Sequence, residues 1–191
     1  INEDGFLYKD KFGSLQVPKP NLLGNHQIAN TACAISAVRN LNKYKIENEH
    51  IVKGIKSVIN KRGRLEILDS GFLKKLAPNS TIYLDIAHNP DAGLQINKFL
   101  NTLDKDKKIT MICGMMNNKI HDKFITNFKR VSEIVAIDIP NQQNCIDKQA
   151  LKKIIENTNI KAETKNSIED AVKYLADKNK NSIILITGSI Y

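Results

Sequence analysis

The sequence predicts an α/β fold, an open and mostly parallel sheet wound with helices over residues 64–191, preceded by the tail of another unit. Three observations carry this. Short β-branched apolar runs recur at Ile82–Ile86, Ile109–Cys113, Ile134–Ile137 and Ile183–Ile186, each suited to a strand buried on both faces. Helical segments alternate with them. A polar, basic stretch broken by Gly63, Asn60-Lys-Arg-Gly-Arg64, separates this pattern from a different one upstream and reads as a linker.

In chain order, two extended pieces come first, Gly5–Tyr8 and Ser14–Val17, closed by Pro18-Lys-Pro20. Ile28, Ala32, Ile35 and Val38 recur at helical spacing, so a helix is expected over His26–Leu41, with small residues that permit close packing. A second helix fits Glu47–Ile59, with Ile51, Ile55 and Val58 on one face and acids at its start. Beyond the linker, helices are expected at Ala92–Leu103, Asp122–Lys129, Lys148–Asn157 and Ile168–Asp177, with a fifth strand at Lys161–Thr164. Ile1 in place of an initiator Met, and Tyr191 close behind an apolar run, lead to the expectation that the chain is cut at both ends.

With 191 residues, 41% hydrophobic and 26% charged, the chain has room for one ordinary domain and part of a second. No apolar stretch approaches the roughly 20 residues that span a bilayer. Three widely spaced cysteines without a CxxC argue against a disulfide framework or a metal knuckle, and fit a reducing cytoplasm. The net charge of +9 invites a nucleic-acid reading, but the lysines are scattered and aromatics make up only 6%. The excess reads first as the Lys/Asn/Ile bias of an AT-rich genome, and second as a field favouring anionic small substrates. No nucleic-acid or membrane partner is expected.

Ligands of open α/β sheets gather at the carboxyl ends of the strands, which selects three loops. In Leu84-Asp-Ile-Ala-His-Asn-Pro90 an apolar strand runs into Asp85 and His88, which could meet a ribose, a metal-bound phosphate or an amine. The alternative is that Asn89 caps a helix starting at Pro90 and His88 packs beside it. In Cys113-Gly-Met-Met-Asn-Asn-Lys119, Gly114 permits close backbone approach and Lys119 could meet an anion, although such a Gly and Lys are common after a strand. Thr187-Gly-Ser189 is either a plain turn or a pair of hydroxyls for a carboxylate. His50 and His121 read as solvated helix residues, and His26 as a helix start. No phosphate loop, dinucleotide fingerprint or metal-ligand cluster is present, so no metal ligands are assigned.

Five segments in order, Leu22-Leu-Gly-Asn-His-Gln-Ile-Ala-Asn30, Gly63-Arg-Leu-Glu66, Asp85-Ile-Ala-His-Asn-Pro90, Cys113-Gly-Met-Met116 and Thr187-Gly-Ser-Ile-Tyr191, together resemble the folylpolyglutamate synthase/dihydrofolate synthase branch of the Mur ligase superfamily. The resemblance implies that residues 1–60 end a central ATP-binding domain and that 61–191 form a Rossmann-like C-terminal domain. It implies ATP contacts at Asn30, Arg64 and Asp85, meeting in an interdomain cleft, with His88 and Ser189 positioning the incoming L-glutamate. Lys119 is a looser match to a charged pair. The implied reaction is ATP- and Mg²⁺-dependent amide formation on dihydropteroate or folate through an acyl phosphate, in an enzyme that is a monomer when complete. The phosphate loop and Mg²⁺ ligands would lie upstream of Ile1, so the chain alone is expected to be inactive. On this resemblance, Asp85→Ala and His88→Ala are both expected to cut ligation heavily and leave the fold intact.

The pattern departs in three places. Asn60-Lys-Arg stands where the family has Trp-Pro before its Gly-Arg, Asp69–Ser80 looks like an insertion, and Pro140-Asn141 replaces Pro-Arg. Two other readings remain: a muramyl-peptide ligase of the same superfamily, and a non-catalytic remnant or binding module of the same fold.

Overall fold

In the computed structural model, which describes residues 5–58 and 62–189, the chain divides into two units, residues 1–61 and 62–191. In the first, β1 (Gly5–Asp10) and β2 (Gly13–Pro18) form an antiparallel hairpin in which Asp10 faces Gly13 across the two-residue loop Lys11-Phe12. Alternation puts Phe6, Leu15 and Val17 inward, where they meet Ile35 of α1 (His26–Arg39) and Ile51 of α2 (Asn48–Lys56). Arg39 ties the helix back to the hairpin. Its guanidinium lies 2.7 Å from Asp10 Oδ1 and also donates to Asn48 Oδ1 at 2.8 Å.

α1 stops two residues short of the expected Leu41, because the Asn40 side chain donates back to the Ser36 carbonyl and closes the last turn. α2 opens with the Glu47 amide donating to His50 Nδ1 at 3.1 Å. The expected end of this helix at Ile59, and Asn60 and Lys61 of the linker, lie outside the described residues.

The second unit carries a six-stranded sheet in the order β3-β4-β8-β5-β6-β7. These strands are β3 (Glu66–Ile67), β4 (Thr81–Leu84), β5 (Ile109–Gly114), β6 (Val131–Ala136), β7 (Lys161–Thr164) and β8 (Ile183–Gly188). All neighbours are parallel except β3 against β4. The helices are α3 (Gly71–Leu76), α4 (Pro90–Leu100), α5 (His121–Ile125), α6 (Lys148–Glu156) and α7 (Ile168–Lys178).

Period-two alternation along the strands builds two cores. Met111, Cys113, Ile183 and Leu185 pack with Ile96, Phe124, Leu151 and Ile155 from α4, α5 and α6. Ile112, Ile184 and Ile186 pack on the other face with Ala171, Val172 and Leu175 of α7 and with Leu73 and Leu76 of α3. The crossovers through α4, α5 and α6 advance toward β7, whereas α7 leads back to β8. Right-handed crossovers running in opposite directions cover opposite faces, which accounts for the split. The α/β architecture expected from the apolar runs is the one observed. No described helix is long and apolar enough to cross a membrane.

Beyond shifts of a few residues at element ends, the second unit differs from expectation at α3, β3 and α5. The apparent insertion Asp69–Ser80 holds α3, an integral part of the second core. β3 pairs for only two residues, Glu66 with Leu84 and Ile67 with Tyr83, too short for any alternation to show. The helix expected over Asp122–Lys129 spans only His121–Ile125, after which a turn swings Phe128 against Phe124, with the rings edge-on at 5.0 Å.

Glu133 of β6 is a buried carboxylate, 1% exposed, bonded to side chains of α7. Both its oxygens lie 2.7 Å from Lys178 Nζ, and the Tyr174 hydroxyl donates to it at 2.9 Å. Glu133, then Tyr174, hold the Lys178 ammonium above the usual lysine range. Glu133→Ala is expected to cost about 2–3 kcal/mol in urea unfolding. That is less than a fully buried pair loses, because the Lys178 side chain, 31% exposed, can return to water.

Candidate functional site at the carboxyl edge of the sheet

Because β4, β8 and β5 are adjacent, the loops that leave their carboxyl ends share one edge. Backbone bonds continue beyond the strands. The Asp85 amide donates to Ile186 O at 2.9 Å, Gly188 to Ala87 O at 3.0 Å, and Ser189 to Gly114 O at 2.9 Å. The Thr187 hydroxyl adds a second bond to Ala87 O at 3.2 Å. The Asp85 loop and the Thr187–Ser189 turn are therefore laced together.

The Asp85 carboxylate acts first as a clamp. Oδ1 accepts from the Ala87 amide and Oδ2 from the Leu65 amide, both at 2.9 Å. Leu65 is 2% exposed and has φ +51°, a left-handed conformation unusual for leucine. The same segment is gripped at Gly63, whose carbonyl accepts from the Ile86 amide at 3.0 Å and whose amide donates to Glu66 Oε2 at 2.8 Å. Arg64 sits between these anchors with its side chain exposed. Gly63-Arg-Leu-Glu66 and Asp85-Ile-Ala-His88 thus form one structural piece.

His88 is half-buried. Its Nδ1–H donates to the Ile86 carbonyl at 2.9 Å, since a carbonyl can only accept, which leaves Nε2 as an acceptor in the neutral ring. Asn89 caps α4 by accepting from the Ala92 amide, with Pro90 in the first turn, so the capping alternative holds for Asn89. His88 is pinned by its own bond and is not part of that cap.

Ser189 Oγ accepts from the Met116 amide at 3.2 Å and borders a recess of about 170 Å³, together with Asp85, Ile112, Ile137, Ile139 and Thr187. Burial pushes the Cys113 thiol, just beneath this edge, up to about 12, which makes it a packing residue and a poor nucleophile. Lys119 is half-buried in the loop after β5, and its amide donates to Met116 O at 3.3 Å.

Asp85, His88, Ser189 and the backbone of Arg64 therefore belong to one edge of the second unit. Asn30 belongs to the first, exposed on α1, where its amide donates to Gln27 Oε1 at 3.1 Å. Among the described residues no three His, Cys, Asp or Glu side chains gather. Each Asp85 oxygen accepts one amide and keeps a second lone pair for a further partner.

Sequence reasoning missed two contributors. Glu66 clamps the Gly63 amide, and His121 is half-buried with a bond to the Met116 carbonyl at 2.9 Å, not solvated as expected. Glu66 closes the Gly63–Glu66 segment and His121 lies five residues from Met116, but both bonds go to backbone groups, which a pattern of side chains does not register.

Residues 63–190 match the family described as Mur ligase, glutamate ligase domain. A dihydrofolate synthase/folylpolyglutamate synthase from Bacillus subtilis is 22% identical over 97% of this chain and 42% of its own length. A probable bifunctional folylpolyglutamate synthase/dihydropteroate synthase from Haloferax volcanii is 28% identical over 89% of this chain and 19% of its own length. A UDP-N-acetylmuramate–L-alanine ligase from Clostridium acetobutylicum is 26% identical over 98% of this chain and 41% of its own length. The fold matches that of Escherichia coli FolC in complex with ADP, with a TM-score of 0.78 at 21% identity over 99% of this chain and 42% of that one. The chain thus spans less than half the length of each of these proteins.

Proposed function

Because the chain belongs to the Mur ligase family through its glutamate ligase domain, we propose that it is the C-terminal part of an ATP-dependent ligase that adds L-glutamate to dihydropteroate or a folate. Residues 1–60 would end the central ATP-binding domain, and 61–191 would be the C-terminal one. The observation that supports this best is the joining of Gly63–Glu66, Asp85–Asn89 and Ser189 at one strand edge.

In this reading a γ-phosphoryl group passes from ATP to the pterin-linked carboxylate, giving an acyl phosphate and ADP. The glutamate amine then attacks the acyl carbon, loses a proton and expels phosphate. Arg64 would neutralise phosphate charge, Asp85 would hold a ribose hydroxyl, and Asn30 would read the adenine edge. His88 offers Nε2 to the incoming amine, and Ser189 offers its hydroxyl to a glutamate carboxylate. Mg²⁺ would supply charge neutralisation at the phosphates, from ligands elsewhere in the complete enzyme.

A second reading, a muramyl-peptide ligase, is supported by the Clostridium relative. Acceptor choice separates the two. Grafted in place of the matching C-terminal part of the Bacillus subtilis relative, the chain is expected to release ADP only when L-glutamate and dihydropteroate or folate are both present. ADP release with L-alanine and not L-glutamate would favour the muramyl reading. A folded graft that releases no ADP with either overturns the ligase assignment.

A further inference from the structure

The geometry points to His121 as a positioning residue for Ser189, acting through the two peptide groups that flank Met116. This inference rests on the proposal that Ser189 meets the amino-acid substrate. Ser189 Oγ accepts from the Met116 amide at 3.2 Å, and among the described residues no acceptor takes its hydroxyl proton. A hydroxyl held in this way presents a donor at the border of the recess, which suits a carboxylate.

How firmly it is held depends on Met116. On one side, the Met115 carbonyl accepts from the Ile146 amide at 2.9 Å, so a single peptide group links Ile146 to Ser189, each bond polarising the next. On the other side, the Met116 carbonyl accepts from the Lys119 amide at 3.3 Å and from His121 Nε2–H at 2.9 Å, and the Asn117 amide donates to Asn144 O at 2.8 Å. Among the described residues His121, the first residue of α5, is the side chain bonded to the Met116 carbonyl, and it sets the angle at which the Met116 amide meets Ser189. The required chemistry is an N–H donor at the Nε2 position. A glutamine amide can supply it, and an alanine cannot.

Titration calorimetry of the chain with L-glutamate tests this, with thermal unfolding as a check on the fold. Ser189→Ala is expected to weaken binding about 10-fold. His121→Ala is expected to weaken it about 5-fold, with melting within a few degrees of the parent, and His121→Gln to restore affinity to within about twofold. In a proton–nitrogen spectrum the Met116 amide should shift in His121→Ala and return toward the parent position in His121→Gln. If Ser189→Ala weakens binding while His121→Ala does not, or if His121→Gln binds as weakly as His121→Ala, the positioning role is overturned and the reading of Ser189 stands. If Ser189→Ala binds as the parent does, or the parent does not bind L-glutamate, the reading of Ser189 falls and the inference falls with it.

Discussion

Gly188→Ala is expected to lower the melting temperature of the second unit by roughly 10–20 °C, through a loss of about 4 kcal/mol. Gly188 has φ +119°, where a side chain is strained whatever the space, and a Cβ there would lie 2.0 Å from the Gly114 carbonyl oxygen. That oxygen belongs to the neighbouring central strand and also accepts the Ser189 amide, so it cannot move without parting β5 from β8. Left-handed strain and overpacking each contribute about 1–3 kcal/mol. Gly71→Ala separates the two contributions. Gly71 has φ +86°, and a Cβ added there would meet nothing within 4 Å, so only the backbone cost of about 1 kcal/mol should appear. Differential scanning calorimetry of both variants checks this, and equal losses would show that the close approach of the two strands contributes nothing.

Asp85→Ala and His88→Ala, which the motif treats alike, are expected to behave differently. Asp85→Ala removes acceptors from two buried backbone amides and releases Leu65 from its left-handed conformation, a cost of about 3 kcal/mol. The segment that carries Arg64 is then freed, so activity and stability should fall together. The two backbone bonds of Asp85 make a loss of stability the expected result for this variant, beside the loss of activity. His88→Ala removes a single bond to the Ile86 carbonyl, at a cost of about 1 kcal/mol or less. In the grafted ligase it should lower turnover about 100-fold, the scale of a lost group that handles the reacting amine. Urea unfolding of each variant, set beside ADP release, reads both quantities. Turnover near the parent value in a folded His88→Ala graft would remove His88 from the proposed chemistry.

Long apolar runs were the most legible feature of the sequence. Ile109–Cys113 and Ile183–Ile186 became central strands because runs so rich in β-branched residues can be satisfied only where both faces are covered. The Asn89-Pro90 start of α4 was equally readable, since a cap and a proline act within one turn. α3 was not, because its few apolar residues have meaning only against α7 and the sheet. The shortened α5 was hidden too, since helical spacing continues to Phe128 although the chain turns to bury that ring on Phe124.

Residue order alone dictated the α/β class, the loops that reach the carboxyl edge, and the residue types present on them. These follow from periodicity and from groups that act on their own neighbours. Folding was needed to establish that Asp85 grips Leu65 twenty residues away, that Gly188 must be glycine because Gly114 lies against it, and that His121 reaches the Met116 carbonyl in the loop that meets Ser189. Each of these is a contact with a backbone group, and a backbone group carries no side-chain identity for a sequence pattern to register.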